Sequence, residues 1–191
     1  MKYFAIIIAL IIFSSFLFTE KDKDIILWQP DRPLTWDDFK GKPKRRFAAA
    51  STSYDILKNV SANNTASATL SIQAVFFCKD SWRNKYWTDN TVLEHEQKHF
   101  DIVELFSRKL RKLLQETPYL NYFDVKSKSD SLYTIIDKQM DVYQDKYDDE
   151  TDGSMNGDRQ REWSKKIINE INNFNSYKNT SFTVSYGKSK K

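Results

Sequence analysis

The sequence predicts an α+β fold, with antiparallel strands in its N-terminal half packed against a three-helix C-terminal half. Three observations carry this. Residues 66–78 alternate Ala66, Ala68, Leu70, Ile72, Ala74 and Phe76 with Ser67, Thr69, Ser71 and Gln73, the period of two of a half-buried strand. Three later stretches repeat apolar residues at helical spacing. The first of these stretches also carries His95-Glu96-Gln97-Lys98-His99, a pattern whose chemistry requires a helix. Hydrophobic residues make up 40% of the chain and aromatics 15%, enough for one core. With only four glycines and four prolines, collagen-like and low-complexity classes are excluded.

Residues 1–19 read as a signal peptide or N-terminal anchor. Lys2 gives the positive start, and Phe4 to Phe18 is apolar except for Ser14 and Ser15. Charge begins abruptly at Glu20-Lys21-Asp22. No Ala-x-Ala signal follows, so a cleaved leader and an anchor through residues 4–18 both stay open. Either way the chain is expected to be exported: periplasmic, secreted or held at the outer face of a membrane. Residues 20–191 are expected to form one domain. The net charge of +4 falls to +3 without Lys2, too small an excess to point to nucleic acid. The single cysteine, Cys78, follows Phe76-Phe77 and reads as a buried thiol.

Trp28 to Lys40 holds Pro30 and Pro33 and reads as extended, with Thr35 capping a short turn around Trp36 and Phe39. Lys42, Lys44, Arg45 and Arg46 read as a solvated basic loop. Phe47–Ile56 and Ala66–Cys78 are the expected strands, joined through a turn-rich link at Val60–Thr65. The first helix is expected from the capping residues Thr88, Asp89 and Asn90 to about Glu116, where Pro118 stops it, with Thr91 and Glu94 as a capping box. Val92, Val103, Phe106, Leu110, Leu113 and Leu114 form its apolar stripe, and His95 and His99 lie on or beside that stripe. A second helix is expected over 126–148, a third over 158–174, and a closing strand over 181–186.

His95 and His99 are the only histidines of the chain, and one helical turn brings them to one face, where two imidazoles can bind one metal. Glu96 stands beside the first of them, placed to take a proton from a water at that metal. These residues predict a zinc hydrolase with His95 and His99 as ligands and Glu96 as general base. A catalytic zinc needs a third protein ligand, which cannot be histidine here. Asp101 and Glu104 point off the histidine face by their spacing. The better source is the acidic run around Tyr147–Ser154, where six acids between Asp141 and Asp152 crowd the negative end of the second helix. Asp148 and Asp152 are the candidates. The same segment has a calcium reading: Asp148, Glu150, Asp152, Gly153 and Ser154 match positions 1, 3, 5, 6 and 7 of an EF-hand loop, but position 12 is Arg159.

The chain resembles the bacterial family of predicted secreted zinc-dependent proteases that carry a His-Glu-x-x-His motif. The matching stretches are Leu34–Gly41, Ser81-Trp82, Leu93–Ile102, Tyr147-Asp148 through Thr151, Gln160 and Trp163. The resemblance implies a zincin-like domain over residues 20–191, His95 and His99 as zinc ligands, Glu96 as general base, and a peptide or protein substrate. It also exposes a departure, because the family usually shows a histidine two residues after the threonine, and here that position is Gly153. Either Asp152 or Asp148 substitutes, or the metal is weakly held, or activity is lost. The last alternative is a non-catalytic envelope binding protein that keeps the fold with a degenerate metal site.

Overall fold

Strand β4 (Ser67–Phe77) is the middle of the sheet. The structure is a computed structural model that describes residues 24–44, 48–64, 66–86 and 89–187. The expected leader, Arg45, Arg46, Thr88 and the basic C-terminal end lie outside them. Ala68, Leu70, Ile72, Ala74 and Phe76 of β4 are buried, as the alternation requires. On one edge β4 pairs antiparallel with β3 (Tyr54–Asn64). Its other edge is shared end to end by two short antiparallel strands, β1 (Ile25–Leu27) at Val75–Phe77 and β6 (Ser181–Ser185) at Ser67–Ser71. Two further strands, β2 (Ala50–Ser51) and β5 (Trp82–Arg83), make a separate small ladder.

The α+β fold is as the sequence predicts, and several boundaries differ. The segment from Val60 to Asn64 is not a link but the end of β3. Ser61 and Asn63 are exposed on an 11-residue strand, and Val60 and Ala62 stay in register with Leu70 and Ala68. Phe47 lies outside the described residues, and the rest of the strand expected over 47–56 is interrupted: β2 ends at Ser51 and β3 begins at Tyr54. The three residues of β1 are too few to show a period, so the sequence alone does not reveal that strand.

The helices are α1 (Asn90–Glu116), α2 (Tyr122–Thr151) and α3 (Gly157–Asn173). With 27 residues, α1 is about 40 Å long. Its cap is Asp89, whose side chain accepts from Val92 N at 3.0 Å, rather than a Thr91–Glu94 box. It ends at Thr117, as Pro118 dictates. The buried surface of α1 is wider than one stripe: every residue from His99 to Arg108 is buried. The helix lies between β4 on one side and α2 and α3 on the others, so nearly every face meets protein. Polar residues in that run are therefore paired. Glu104 accepts from Arg108 Nε at 2.7 Å and from Arg111 at 2.9 and 3.0 Å, and Arg111 also donates to the carbonyl of Ile72. Asp101 accepts from the Trp28 indole at 2.9 Å, from Gln97 at 2.8 Å and from Lys98 at 2.6 Å.

α2 starts four residues before the expected Lys126, because Asn121 caps it by accepting from Asp124 N at 3.0 Å. It also runs past Asp148 to Thr151, so Asp148 sits inside the helix rather than at its frayed end. Asn156 caps α3, and β6 ends at Ser185. The sheet and the three helices share one hydrophobic core, which includes Leu70, Cys78, Phe100, Leu105, Tyr147 and Ile167.

Candidate metal centre

Where α1 crosses α2, the two histidines of α1 face Gln144, Tyr147, Asp148 and Thr151 of α2. These four residues lie at i, i+3, i+4 and i+7, one continuous helical stripe. Tyr147 is fully buried, and its ring stacks on His95 (centroids 4.7 Å apart) and meets His99 edge-on (5.2 Å). That wall closes the back of the site. His95 Nε2 and His99 Nε2 are 3.1 Å apart, and they lie 3.0 and 2.9 Å from the same oxygen, Oδ1 of Asp148. Among the described residues these three side chains form a group able to hold a metal ion. Three ligands of a tetrahedral ion at about 2.0–2.1 Å lie about 3.3 Å apart, so two imidazoles and one carboxylate 2.9–3.1 Å apart need open by only a few tenths of an ångström to seat such an ion.

The far side of each imidazole is also held. His99 Nδ1 is 2.7 Å from Gln144 Oε1, and Gln144 Nε2 donates to the carbonyl of His99 at 3.0 Å. Gln144 can therefore only accept from Nδ1, which assigns the proton there and leaves the Nε2 lone pair facing Asp148. The Thr151 hydroxyl donates to the carbonyl of Tyr147 at 2.7 Å and presents its lone pair 3.5 Å from His95 Nδ1. Burial works against a charge on His99. The hydrogen bond to Asp148, the charges of Glu96 and Asp148 and the bond to Gln144 outweigh it, and they raise the imidazole above its ordinary pKa. Burial would raise Asp148 too, but hydrogen bonds and charge from His95 and His99 hold its carboxyl well below the usual carboxylate range. The three atoms together attract positive charge, which a proton or a metal cation supplies.

Glu96 is 5% exposed and faces the same cleft as the triad. The Thr52 hydroxyl donates to Glu96 Oε2 at 2.6 Å, across 44 positions of sequence. The cleft, about 1020 Å³, runs along the segment 48–54 and past the start of α1 to the loop after α2. That volume is at the upper end of small-molecule pockets.

Of the four residues expected to hold the metal, the structure brings together His95, His99 and Asp148. Asp152 is not in the group. The backbone leaves the helix at Asp152 in a left-handed turn (φ 49°, ψ 49°), which carries its side chain off the stripe that holds Asp148. It lines the cleft as an exposed acid. The EF-hand reading fails on geometry: Asp148 and Glu150 are helical, Glu150 is taken by Arg159 and by the Trp163 indole, and only residues 152–156 separate α2 from α3. Asp101 and Glu104 are bonded elsewhere, in line with their spacing. Sequence reasoning missed Thr52, Gln144 and Thr151. Gln144 and Thr151 stand four before and three after Asp148, a signal readable only once Asp148 is known to be helical. Thr52 has no local signal at all. No family model, curated protein or solved structure matches the chain.

Proposed function

We propose that this chain is an exported zinc-dependent peptidase in which Glu96 is the general base. The observation that carries the reading is the convergence of His95, His99 and Asp148 on one point, in a cleft that Glu96 also faces. The resemblance of Leu93–Ile102 to secreted zinc-dependent proteases supports the same conclusion. Asp148 takes the part of the third ligand, so Gly153 leaves no gap in the donor set.

Zinc held by His95, His99 and Asp148 would supply Lewis-acid polarisation of a peptide carbonyl and would acidify a water. The rest is done by the chain. Gln144 keeps the His99 proton on Nδ1, and the wall of Tyr147 keeps bulk water from the back of the imidazoles. Thr52 donates to Oε2 of Glu96 and so leaves Oε1 to accept the proton of the attacking water. The same carboxyl then delivers that proton to the nitrogen of the departing amine.

The test uses the purified full chain. About one zinc per chain is expected, with loss of zinc in His95→Ala. Glu96→Gln should keep the metal, while cleavage of a mixed peptide library falls by roughly 10²- to 10⁴-fold. Equal cleavage by wild type and Glu96→Gln would refute the role of Glu96. Zinc-loaded wild type that cleaves nothing would leave a metal-binding module without turnover.

A further inference from the structure

The loop after α2 has an unusual backbone. Asp152, Gly153 and Ser154 follow one another with φ of 49°, 52° and 84°. Glycine adopts such angles freely, but a serine at 84° lies beyond even the left-handed well, and strain of that kind collects at ligand-binding sites. Ser154 is 8% exposed and lines the cleft that holds His95 and Glu96. Its hydroxyl has no hydrogen-bond partner among the described residues and is not sealed off from solvent, so it is free to meet a ligand in the cleft. Two residues earlier, Asp152 lines the same cleft, exposed and without an ion pair among the described residues. Its neighbour Glu150, by contrast, is held by Arg159, Lys146 and Trp163. Met155, 81% exposed, continues the loop as an apolar ledge.

We propose that Asp152, Ser154 and Met155 form a subsite for a cationic side chain, the arginine or lysine of a peptide substrate. The proposal rests on the peptidase reading for the nature of the substrate. The Asp152 carboxylate takes the charged head, the Ser154 hydroxyl accepts one of its N–H groups, and the thioether of Met155 covers the aliphatic stem. The field of the cleft has the same sign. Asp80 and Asp89 also line it, Asp89 being engaged as a helix cap, and Lys44 is the one Lys or Arg among the described lining residues. Tyr54, on the same wall, has a phenol raised by burial first and then by Asp141, Asp148, Asp145 and Asp137 along α2.

The experiment titrates two pools of fluorescein-labelled short peptides, random except for one central arginine or citrulline, against the full chain carrying Glu96→Gln. The arginine pool is expected to bind about tenfold more tightly. Asp152→Asn keeps a residue type that tolerates the left-handed turn, and it should bring the two pools within about twofold of each other. Ser154→Gly removes the hydroxyl and the strain together. It should raise the melting temperature yet weaken arginine-pool binding about threefold, a combination that a purely structural role does not produce. Equal binding of the two pools, an arginine preference that survives Asp152→Asn, or unchanged affinity in Ser154→Gly overturns the subsite. The peptidase reading fails separately. Wild type that prefers the arginine pool but cleaves neither pool supports the subsite and refutes the peptidase. Cleavage of both pools at equal rates does the reverse.

Discussion

Replacing Gln144 with leucine probes the metal centre without touching a ligand. Leucine is close to glutamine in size, and the site is 3% exposed, so packing is largely kept. What is lost is the 2.7 Å contact to His99 Nδ1 and the 3.0 Å bond to the carbonyl of His99. A buried N–H without an acceptor costs about 1–3 kcal/mol, which the metal-free protein should show as a lower urea midpoint at unchanged slope. The imidazole can avoid that cost by moving its proton to Nε2, where Asp148 Oδ1 stands 2.9 Å away. That tautomer cannot bind a metal through Nε2, so zinc binding must first reverse it. Loss of such an outer contact weakens metal binding about 10- to 100-fold, or roughly 1.4–2.8 kcal/mol. Competition against a chromophoric chelator measures it. Zinc affinity within about threefold of wild type, in a variant with the expected loss of metal-free stability, would refute the claim that Gln144 sets the His99 tautomer.

Three further outcomes follow from the same geometry. His99 has a raised pKa in the folded state, so its contribution to metal-free stability is complete below about pH 6.5 and fades as pH climbs through that raised value. Asp148 has a lowered pKa, so its share is complete above about pH 3.9 and fades as pH falls through that depressed value. Urea midpoints in chelator should therefore peak between those limits and decline towards alkaline pH, and a flat profile above pH 6.5 would contradict the His99–Asp148 pair. Glu104→Leu strands the charges of Arg108 and Arg111 in the core and should cost about 3–5 kcal/mol by chemical denaturation. Gly41→Ala puts a Cβ 2.7 Å from the carbonyl of Ser81 and 2.8 Å from that of Lys79, so it should destabilise by about 1–3 kcal/mol, and an unchanged melting temperature would mean that segment moves aside easily.

The strongest local signals were the most legible. The alternation of Ala68 to Phe76, the stop at Pro118 and the paired spacing of His95 and His99 each follow from one period or one residue type, and each holds in the structure. The third ligand was only half legible. Choosing Asp148 over Asp152 requires knowing that α2 persists to Thr151, and its last turn is held there by packing of Tyr147 and Thr151 on α1.

 Tertiary contact, not propensity, decides where that helix ends. Asp152-Gly153 did carry a hint, since both residue types tolerate the left-handed turn that ends the helix there. Thr52 was illegible for another reason: it meets Glu96 only because β2 and the residues after it run beside the start of α1, a long-range placement that no period in the sequence records.

The two short strands that share one edge of β4 bear on how the chain reaches its fold. Ser71 waits for Ser181, so the ladder at residues 67–71 stays open until the last strand has been synthesised and has returned across the molecule. Closure over so long a loop is slow compared with forming the helices between, and it places β6 late in folding. Until then β4 presents an unpaired edge next to its own most apolar segment, which another unfinished chain can occupy. Shortening the chain before Ser181 would therefore spare the helices that carry His95, His99 and Asp148 and still add a second open edge to the sheet, at residues 67–71, for a neighbouring chain to pair with.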